Sequence, residues 1–573
     1  MRAMQEAIER RMERAASQKF TIKKEGNHYE VLSHKSGNKY DVEVSPNRCS
    51  CPDFESNGLG TCKHVEAVKA RFSMKLSEAK VDHSEFERQY NEFLKETSQK
   101  KTHMNKFKKS ATLKHPLYPY QQKGAAFLAA MEKAMLADEM GLGKTPQAIA
   151  ACIVLGDKIK TALVVCPASL KSQWKNEIEK FCDKKAVVID GTGEKRKKLF
   201  GEDSFFKIMN YELLLKNFSD VEKSNFDLII LDEAQRIKNW KAKRTQLIKK
   251  LSPPYAFVLT GTPVENRLEE LYSITEFLDR RVFGPAWLFM DKHVVKDEWG
   301  KIIGYKNISE MREKIEKIML RRKKSEVLKD LPERIDSNYY VELTEQQAKL
   351  HSEMASDFRK IINAIKMAAE NEEELPQKLI FKMFGLLHKM REACDDAYLI
   401  NGKKSFSSKL DELEQIAEEM DGHKFIVFSE WERMTQLIEK RLETAGIKCV
   451  RLHGSLSTKQ RAKVINKFMQ DDKTRCFVST DAGGLGLNLQ AADYVINFDL
   501  PWNPATIEQR IGRAHRIGQK SVVNVINLIA ENSVEQRVEF MLKAKKELAS
   551  AVLDGGSFAK NDIMELVKIF EKL

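Results

Sequence analysis

Residues 136–145 read LADEMGLGKT, and no other stretch limits so strongly what this chain can fold into. Gly141 and Gly143 let the backbone turn tightly, so that successive N–H groups and the start of a following helix converge on one anion. Lys144 is then placed to reach β- and γ-phosphates, and the Thr145 hydroxyl to meet Mg2+. The general phosphate-loop spacing G-x-x-x-x-G-K-[ST] is nevertheless broken, because Asp138 stands where the first glycine belongs. Taken alone, the stretch is compatible with a nucleotide site and with a glycine-rich helix start. A helix-patterned segment precedes it and an apolar, β-rich run, TALVVCP at 161–167, follows.

That run opens a series. AVVID (186–190), FKIMNY (206–211), FDLIILDEA (226–234) and AFVLTGT (256–262) are short apolar strands separated by helical stretches. A second series reads KFIVFSE (424–430), KCVRLHG (448–454), TRCFVST (474–480), YVINFDL (494–500) and VVNVINLIA (522–530). Continuous apolar strands alternating with helices predict parallel sheets covered on both faces, hence two α/β lobes. Between them, roughly 264–400, the pattern reads as a helical, charge-rich region that includes LRRKKSEVLKDLPER at 320–334.

The first 72 residues differ. A charged amphipathic helix without a secretory apolar core leads into a polar/apolar alternation at 19–45, which reads as an antiparallel meander. Cys49-Ser50-Cys51 follows, then Cys62-Lys63-His64. Three thiols and an imidazole supply the four soft ligands of a closed tetrahedral Zn2+ site, and with no open position such a metal is structural. Arg48 and Lys63 stand ready to offset the net negative charge of zinc with three thiolates. The arrangement resembles the SWIM zinc finger, a module associated with DNA or protein binding, over about residues 20–70. The other six cysteines are scattered, as expected for a reducing compartment. Residues 73–113 read as a solvated charged helix and a lysine-rich linker.

Two further groups bear on the phosphate loop. Asp232 and Glu233 emerge from the apolar run LIIL, at the strand end where open α/β sheets bind ligands. Phosphoryl transfer to water needs one acid near Mg2+ and another to deprotonate the water. Arg513 and Arg516, in QRIGRAHRIGQ at 509–519, lie three apart on one helical face and can meet charge developing on a γ-phosphate.

Together these stretches resemble a superfamily-two helicase core of the Swi/Snf ATPase family. In order the chain carries YPYQ (118–121), DEMGLGKT (138–145), DEAQ (232–235), LTGTPVEN (259–266), LHGSLS (452–457), STDAGGLGLNLQ (479–490), DLPWNP (499–504) and QRIGRAHRIGQ. Asp138 is what the family has at that position, so the break in the general loop supports the likeness. The resemblance implies two RecA-like parallel-sheet lobes with helical insertions, preceded by a small zinc-binding β/α module. It implies ATP as substrate, contacted by Gln121 at the adenine edge, by the loop Asp138, Glu139, Met140, Gly141, Leu142, Gly143, Lys144 and Thr145, and by Gln509 and Gly486. Asp232 would position Mg2+ with Thr145, Glu233 would be the catalytic base, and Arg513 and Arg516 the fingers from the opposite lobe. Thr260 and Thr262 would couple hydrolysis to the strand, and Gly484, Gly486 and Asn488 would lie in a loop sensing nucleotide and DNA. One departure stands out: after Cys394 the family commonly has an Asn-His-Pro-like step, and here Asp395-Asp396-Ala397 follows.

The expected function is an ATP-driven translocase on double-stranded DNA that remodels or displaces bound proteins. The alternatives are a strand-separating DNA or RNA helicase, or a zinc-finger adaptor with a decayed ATPase. A formal charge of +14 favours a polyanionic partner, and no apolar run approaches the ~20 residues of a membrane span. The expected organisation is a zinc module at 1–72, the charged helix and linker at 73–113, lobe 1 at 114–335 and the insertion with lobe 2 at 336–573. A monomer is expected, its zinc finger free to take a protein partner. The expected location is cytoplasmic and nucleoid-associated in a bacterium or an infected bacterium, or nuclear in a eukaryote.

Overall fold

The structure, a computed structural model, describes residues 2–26, 28–57, 59–74, 83–104, 113–265, 267–296, 302–328, 331–370, 377–420, 422–481 and 487–553. The N-terminal helix Arg2–Ser17 leads into β1 (Phe20–Glu25), β2 (His28–Ser33), β3 (Lys39–Val44) and β4 (Asn47–Cys49), an antiparallel meander in that order. Its buried face, Tyr29, Val31 and Val42, packs on Val65 and Val68 of the helix Lys63–Arg71.

Lobe 1 is built on a parallel sheet. Its strands are β5 (Lys133–Leu136), β6 (Ala162–Cys166), β7 (Ala186–Val188), β8 (Phe206–Asn210), β9 (Leu228–Asp232) and β10 (Tyr255–Leu259). A hairpin of β11 (Val294–Lys296) and β12 (Ile302–Tyr305) lies outside the sheet, and β13 (Met319–Leu320) completes it in the order β13-β5-β10-β9-β6-β8-β7. Every residue of β6, β8 and β9 is buried, because helices cover both faces, so these strands read as unbroken apolar runs.

Lobe 2 begins at β14 (Arg334–Val341), then β15 (Phe425–Phe428), β16 (Cys449–Leu452), β17 (Cys476–Ser479), β18 (Tyr494–Asn497) and β19 (Val523–Ala530), ordered β14-β19-β18-β15-β17-β16 and all parallel. The stretch expected to be helical between the lobes therefore contains a hairpin and two sheet strands. β14 runs through positions 335 and 336, where the sequence reading divided the lobes, and pairs with β19 along its whole length. Its polar composition, RIDSNYYV, fits an edge strand with most positions exposed, which needs no apolar run. The long helices Glu345–Glu370 and Gln377–Asp395 follow it. The helix Val534–Leu553 then crosses the molecule: Val534, Val538 and Leu542 are buried in lobe 2, whereas Ala549 and Leu553 pack on the core of lobe 1. Among the described residues no helix is long and apolar enough to cross a membrane.

Candidate active site and zinc centre

β5 delivers the phosphate loop at the edge of the cleft between the lobes. Gly141 and Gly143 take φ of +87° and +68°, values that side chains resist, and Gly143 caps the helix Lys144–Leu155. Close approach also demands glycine here. A Cβ on Gly141 would stand 2.8 Å from Cβ of Arg516, and one on Gly143 2.6 Å from Nε2 of Gln121. Gln121 donates to the Leu142 carbonyl at 3.2 Å and accepts from the Tyr118 N–H at 3.1 Å, so it holds the loop against the helix Pro119–Met131. Lys144 donates to the carbonyls of Asp138 (2.7 Å) and Glu139 (3.4 Å), and burial lowers its pKa. Met140 lies against Gly261 and Gly512, and Glu139 accepts from the Lys324 N–H at 2.7 Å.

Asp138 explains why the first loop glycine is missing. Its carboxylate is fully buried and accepts from Arg322 Nε at 2.9 Å and Nη2 at 2.5 Å, and from Gln147 Nε2 at 3.1 Å. It therefore faces away from the cleft and ties the loop to the segment leaving β13. Asp138→Ala would leave the Arg322 guanidinium, itself only 12% exposed, without its counter-charge. Loss of one partner of a buried pair costs about 3–5 kcal/mol. The expected result is a lower urea midpoint for lobe 1 and loss of ATP binding, with Asp138→Asn recovering part of both.

β9 ends on the acidic pair. Asp232 accepts from Trp174 Nε1 at 2.7 Å and from the Glu233 N–H at 2.9 Å. Burial, and then the adjacent Glu233 charge, push it up to about 7. A carboxylate destabilised in this way, in a cleft it shares with Thr145, fits a divalent cation, which restores its ionised form. Glu233 occupies the left-handed region at φ +49°, a strained conformation that turns its side chain back toward the cleft. Gln235 Nε2 donates to Glu233 Oε2 at 2.7 Å, the Thr260 hydroxyl donates to Gln235 Oε1 at 3.1 Å, and the Thr262 N–H donates to Thr260 at 3.1 Å. The pair on β9 is thus linked to the loop after β10.

Lobe 2 supplies the opposite wall. Asn503 caps the helix Pro504–Ile511, and the turn after it carries Arg513 and Arg516 into the cleft with Lys144, Thr145, Asp232 and Glu233. Burial lowers the pKa of Arg513, and burial with repulsion from Arg513 brings Arg516 down to about 10. Three desolvated cations around one cleft call for an anion. Arg516 donates to the Asn488 side chain and, at 3.3 Å, to the Leu487 carbonyl. Gln509 sits one turn upstream, outside the cleft lining, and Gly484 and Gly486 lie outside the described residues.

Several side chains that hold the walls of the cleft were not singled out by the sequence. Arg510 is 2% exposed and grips Asp481 through Nε (2.6 Å) and Nη2 (2.8 Å), fixing the turn that carries Arg513. Lys324 Nζ reaches the His515 carbonyl at 2.5 Å, and Arg334 pairs with Glu508 at 2.7 Å, so the segment joining the lobes holds the helix Pro504–Ile511 and the turn after it that carries Arg513 and Arg516. Arg322, Lys324 and Arg334 belong to the run that reads as part of a helical, charge-rich region, and their partners lie far away in sequence.

At the N-terminus the ligand atoms of Cys49, Cys51, Cys62 and His64 lie within 4.8 Å of one another, and all four residues are buried. Nδ1 of His64 faces the sulfurs of Cys49 (3.7 Å) and Cys62 (3.9 Å), and Tyr40 stacks on the ring at 4.4 Å. The thiols work against one another. Hydrogen bonding to Cys51 pushes Cys49 up to about 12, contact with Cys49 and Cys51 drives Cys62 further up, and the same bonds lower Cys51. Three thiolates can coexist there only around a cation, so the set fits Zn2+. The module does not hang from its linker. Trp287 Nε1 donates to the Asn57 carbonyl at 2.8 Å, Lys296 pairs with Glu6 at 3.2 Å, and Ala7, Ile8 and Leu59 pack on Trp287 and Leu288 of lobe 1. The lysines at 106, 108 and 109 lie outside the described residues.

Three family descriptions match stretches of this chain. Residues 120–399 match the SNF2-related domain, 408–518 the helicase conserved C-terminal domain and 40–71 the SWIM zinc finger. An uncharacterized ATP-dependent helicase of Mycoplasma genitalium is 32% identical over 79% of this chain and 44% of its own length. The ATPase of an ISWI chromatin-remodeling complex from Saccharomyces cerevisiae is 30% identical over 74% of this chain and 39% of its own. The chain thus spans less than half the length of these relatives. A solved Sulfolobus solfataricus SWI2/SNF2 ATPase core in complex with dsDNA is 29% identical, covering 80% of this chain and 98% of that one at a TM-score of 0.39.

Proposed function

From a chain that belongs to the SNF2 family of helicase-like ATPases and carries a SWIM zinc finger, we propose a motor that hydrolyses ATP to move along double-stranded DNA and displace or remodel what is bound there. The observation that carries this reading is that one cleft is walled by both lobes. Lys144, Thr145, Asp232 and Glu233 face Arg513 and Arg516 across it. Hydrolysis then depends on lobe 2 being in place, and each turnover is tied to closure and opening.

In this reading Lys144 leaves its loop carbonyls for the phosphates, and Glu233, held by Gln235, takes the proton of the attacking water. Arg513 and Arg516 meet the charge that develops on the γ-phosphate. Mg2+, held by Thr145 and Asp232, would neutralise phosphate charge. The chain Glu233–Gln235–Thr260–Thr262 gives a route by which strand contact at the loop after β10 adjusts the base. The net charge of +14 supports phosphate-directed, sequence-independent contact with DNA.

The deciding assay is ATP turnover without nucleic acid and with duplex DNA, single-stranded DNA or duplex RNA. Strongest stimulation by duplex DNA is expected, together with triplex displacement. Preference for single strands or RNA would favour a strand-separating helicase, and absence of hydrolysis with all of them would leave an adaptor.

A further inference from the structure

A crevice of about 700 Å3 opens where the zinc module meets lobe 1, away from the ATP cleft. One wall is the N-terminal helix, which presents Arg10 and Arg14 four residues apart on one face. The other wall is lobe 1, with Trp240 and Lys241 from the segment that leaves β9 beyond Glu233, and Arg280 after the helix Leu268–Leu278. Among the described residues, seven arginines and lysines line the crevice against three carboxylates, Glu6, Asp53 and Glu276. Those three are already engaged: Glu6 by Lys296 at 3.2 Å and by Arg10 at 4.0 Å, Asp53 by Arg11 at 2.7 Å, and Glu276 by Lys249 at 2.5 Å and by Arg280 at 4.0 Å, while Arg281 is held by Glu96 and Asp279 at 2.8 Å. The surplus is cationic. Arg14 and Lys241 are exposed, and the Arg280 side chain is 55% exposed.

Three features favour an extended polyanion over a small anion. The cations stand on two walls of an open crevice. The walls are held in fixed relation by the Trp287–Asn57 hydrogen bond and the apolar contact beneath it. An indole lies among them, with Lys241 Nζ 5.7 Å from the Trp240 ring, a combination suited to a sugar–phosphate edge. Lys241 also follows Glu233 and Gln235 within one short segment of the chain.

We propose that this crevice is a second seat for the phosphodiester backbone of duplex DNA, formed jointly by the zinc module and lobe 1, which lengthens the contact beyond the ATPase lobes. The inference rests on the duplex-DNA reading above. The zinc module then acts as a fixed extension of the track, and the metal serves DNA binding by keeping Arg10 and Arg14 in position.

The test is the salt dependence of duplex binding by the full chain with zinc bound, comparing wild type with Arg14→Glu/Lys241→Glu/Arg280→Glu. A 40-base-pair probe read by fluorescence anisotropy serves both, and a duplex of about 12 base pairs reports the lobes alone. Each phosphate contact contributes about −0.9 to the slope of log K against log salt. On the long probe the variant is expected to bind at least about tenfold more weakly, with a slope shallower by about 2–3. ATP turnover without DNA and binding of the short probe stay unchanged. Should the triple variant misfold, Arg14→Gln and Lys241→Gln are each expected to make the slope shallower by about 1. If wild type binds duplex and the variants match it in affinity and slope, the crevice proposal alone is overturned. If wild type shows no salt-dependent duplex binding, the proposed function falls with it.

Discussion

Glu233→Gln is expected to bind ATP as tightly as the parent chain and to turn it over about a hundred- to ten-thousand-fold more slowly, the range lost with a general base. Glutamine has the size of glutamate and its amide oxygen still accepts from Gln235, so the strained φ of +49° and the link to Thr260 survive. What it cannot do is take a proton from water. Lys144→Ala should separate from it clearly by weakening ATP binding itself, since in the proposed reading the buried ammonium is the loop's charge for the phosphates. Arg513→Ala should fall on the other side, with affinity nearly kept and kcat reduced by about a thousandfold or more, the scale of an arginine finger. Equilibrium binding of a fluorescent ATP analogue, with single-turnover hydrolysis, distinguishes the three. A Glu233→Gln chain that hydrolyses within threefold of the parent would remove Glu233 from the role of base and leave Asp232 or a water chain to be considered.

The sequence makes such variants nameable because phosphate chemistry uses local signals. Gly141, Gly143, Lys144 and Thr145 lie within five residues, Asp232 and Glu233 are adjacent, and each group ends or follows an apolar run that marks a buried parallel strand. β6, β9, β15 and β18 were readable for that reason. β14 was not, because an edge strand with exposed Ile335, Tyr339 and Tyr340 carries no burial pattern. The side chains that hold the site together were hidden by distance in sequence: Asp138 meets Arg322 184 residues on, and Lys324 meets His515 191 residues on. The unexpected Asp395-Asp396-Ala397 step is also resolved only in space. Asp395 lies 2.9 Å from the buried Lys409 ammonium, which also pairs with Glu535 at 2.7 Å, and Asp396 caps the following helix through the Tyr398 N–H at 2.8 Å. The candidate zinc-binding set Cys49, Cys51, Cys62 and His64 stood out by its spacing, but the docking of its module did not, since Trp287 and Leu288 look like ordinary core residues of lobe 1.

That docking shapes the second large effect. Stripping zinc, or replacing Cys62 with serine, is expected to unfold residues 20–71 while leaving both lobes folded. The module's apolar core amounts to Tyr29, Val31, Val42, Val65 and Val68 with their partly buried neighbours, too little for so short a segment to stand alone. A structural zinc contributes an apparent ~10–16 kcal/mol in small fingers, more than such a core can replace. Without the metal, three thiols and His64 would be buried together with no cation, and hydration of the unfolded segment becomes the better state. The lobes have separate cores on both faces of their sheets and do not need the module for burial, apart from the patch at Trp287 and Leu288. Limited proteolysis should therefore cut the chelated chain between β1 and the helix Lys63–Arg71 and spare residues 113–553. Trp287 should gain solvent exposure as its bond to Asn57 is lost, and ATP turnover without DNA should change little. A metal-free chain that resists protease over residues 20–71 would mean that lobe 1, through Trp287, holds the module without help from the metal.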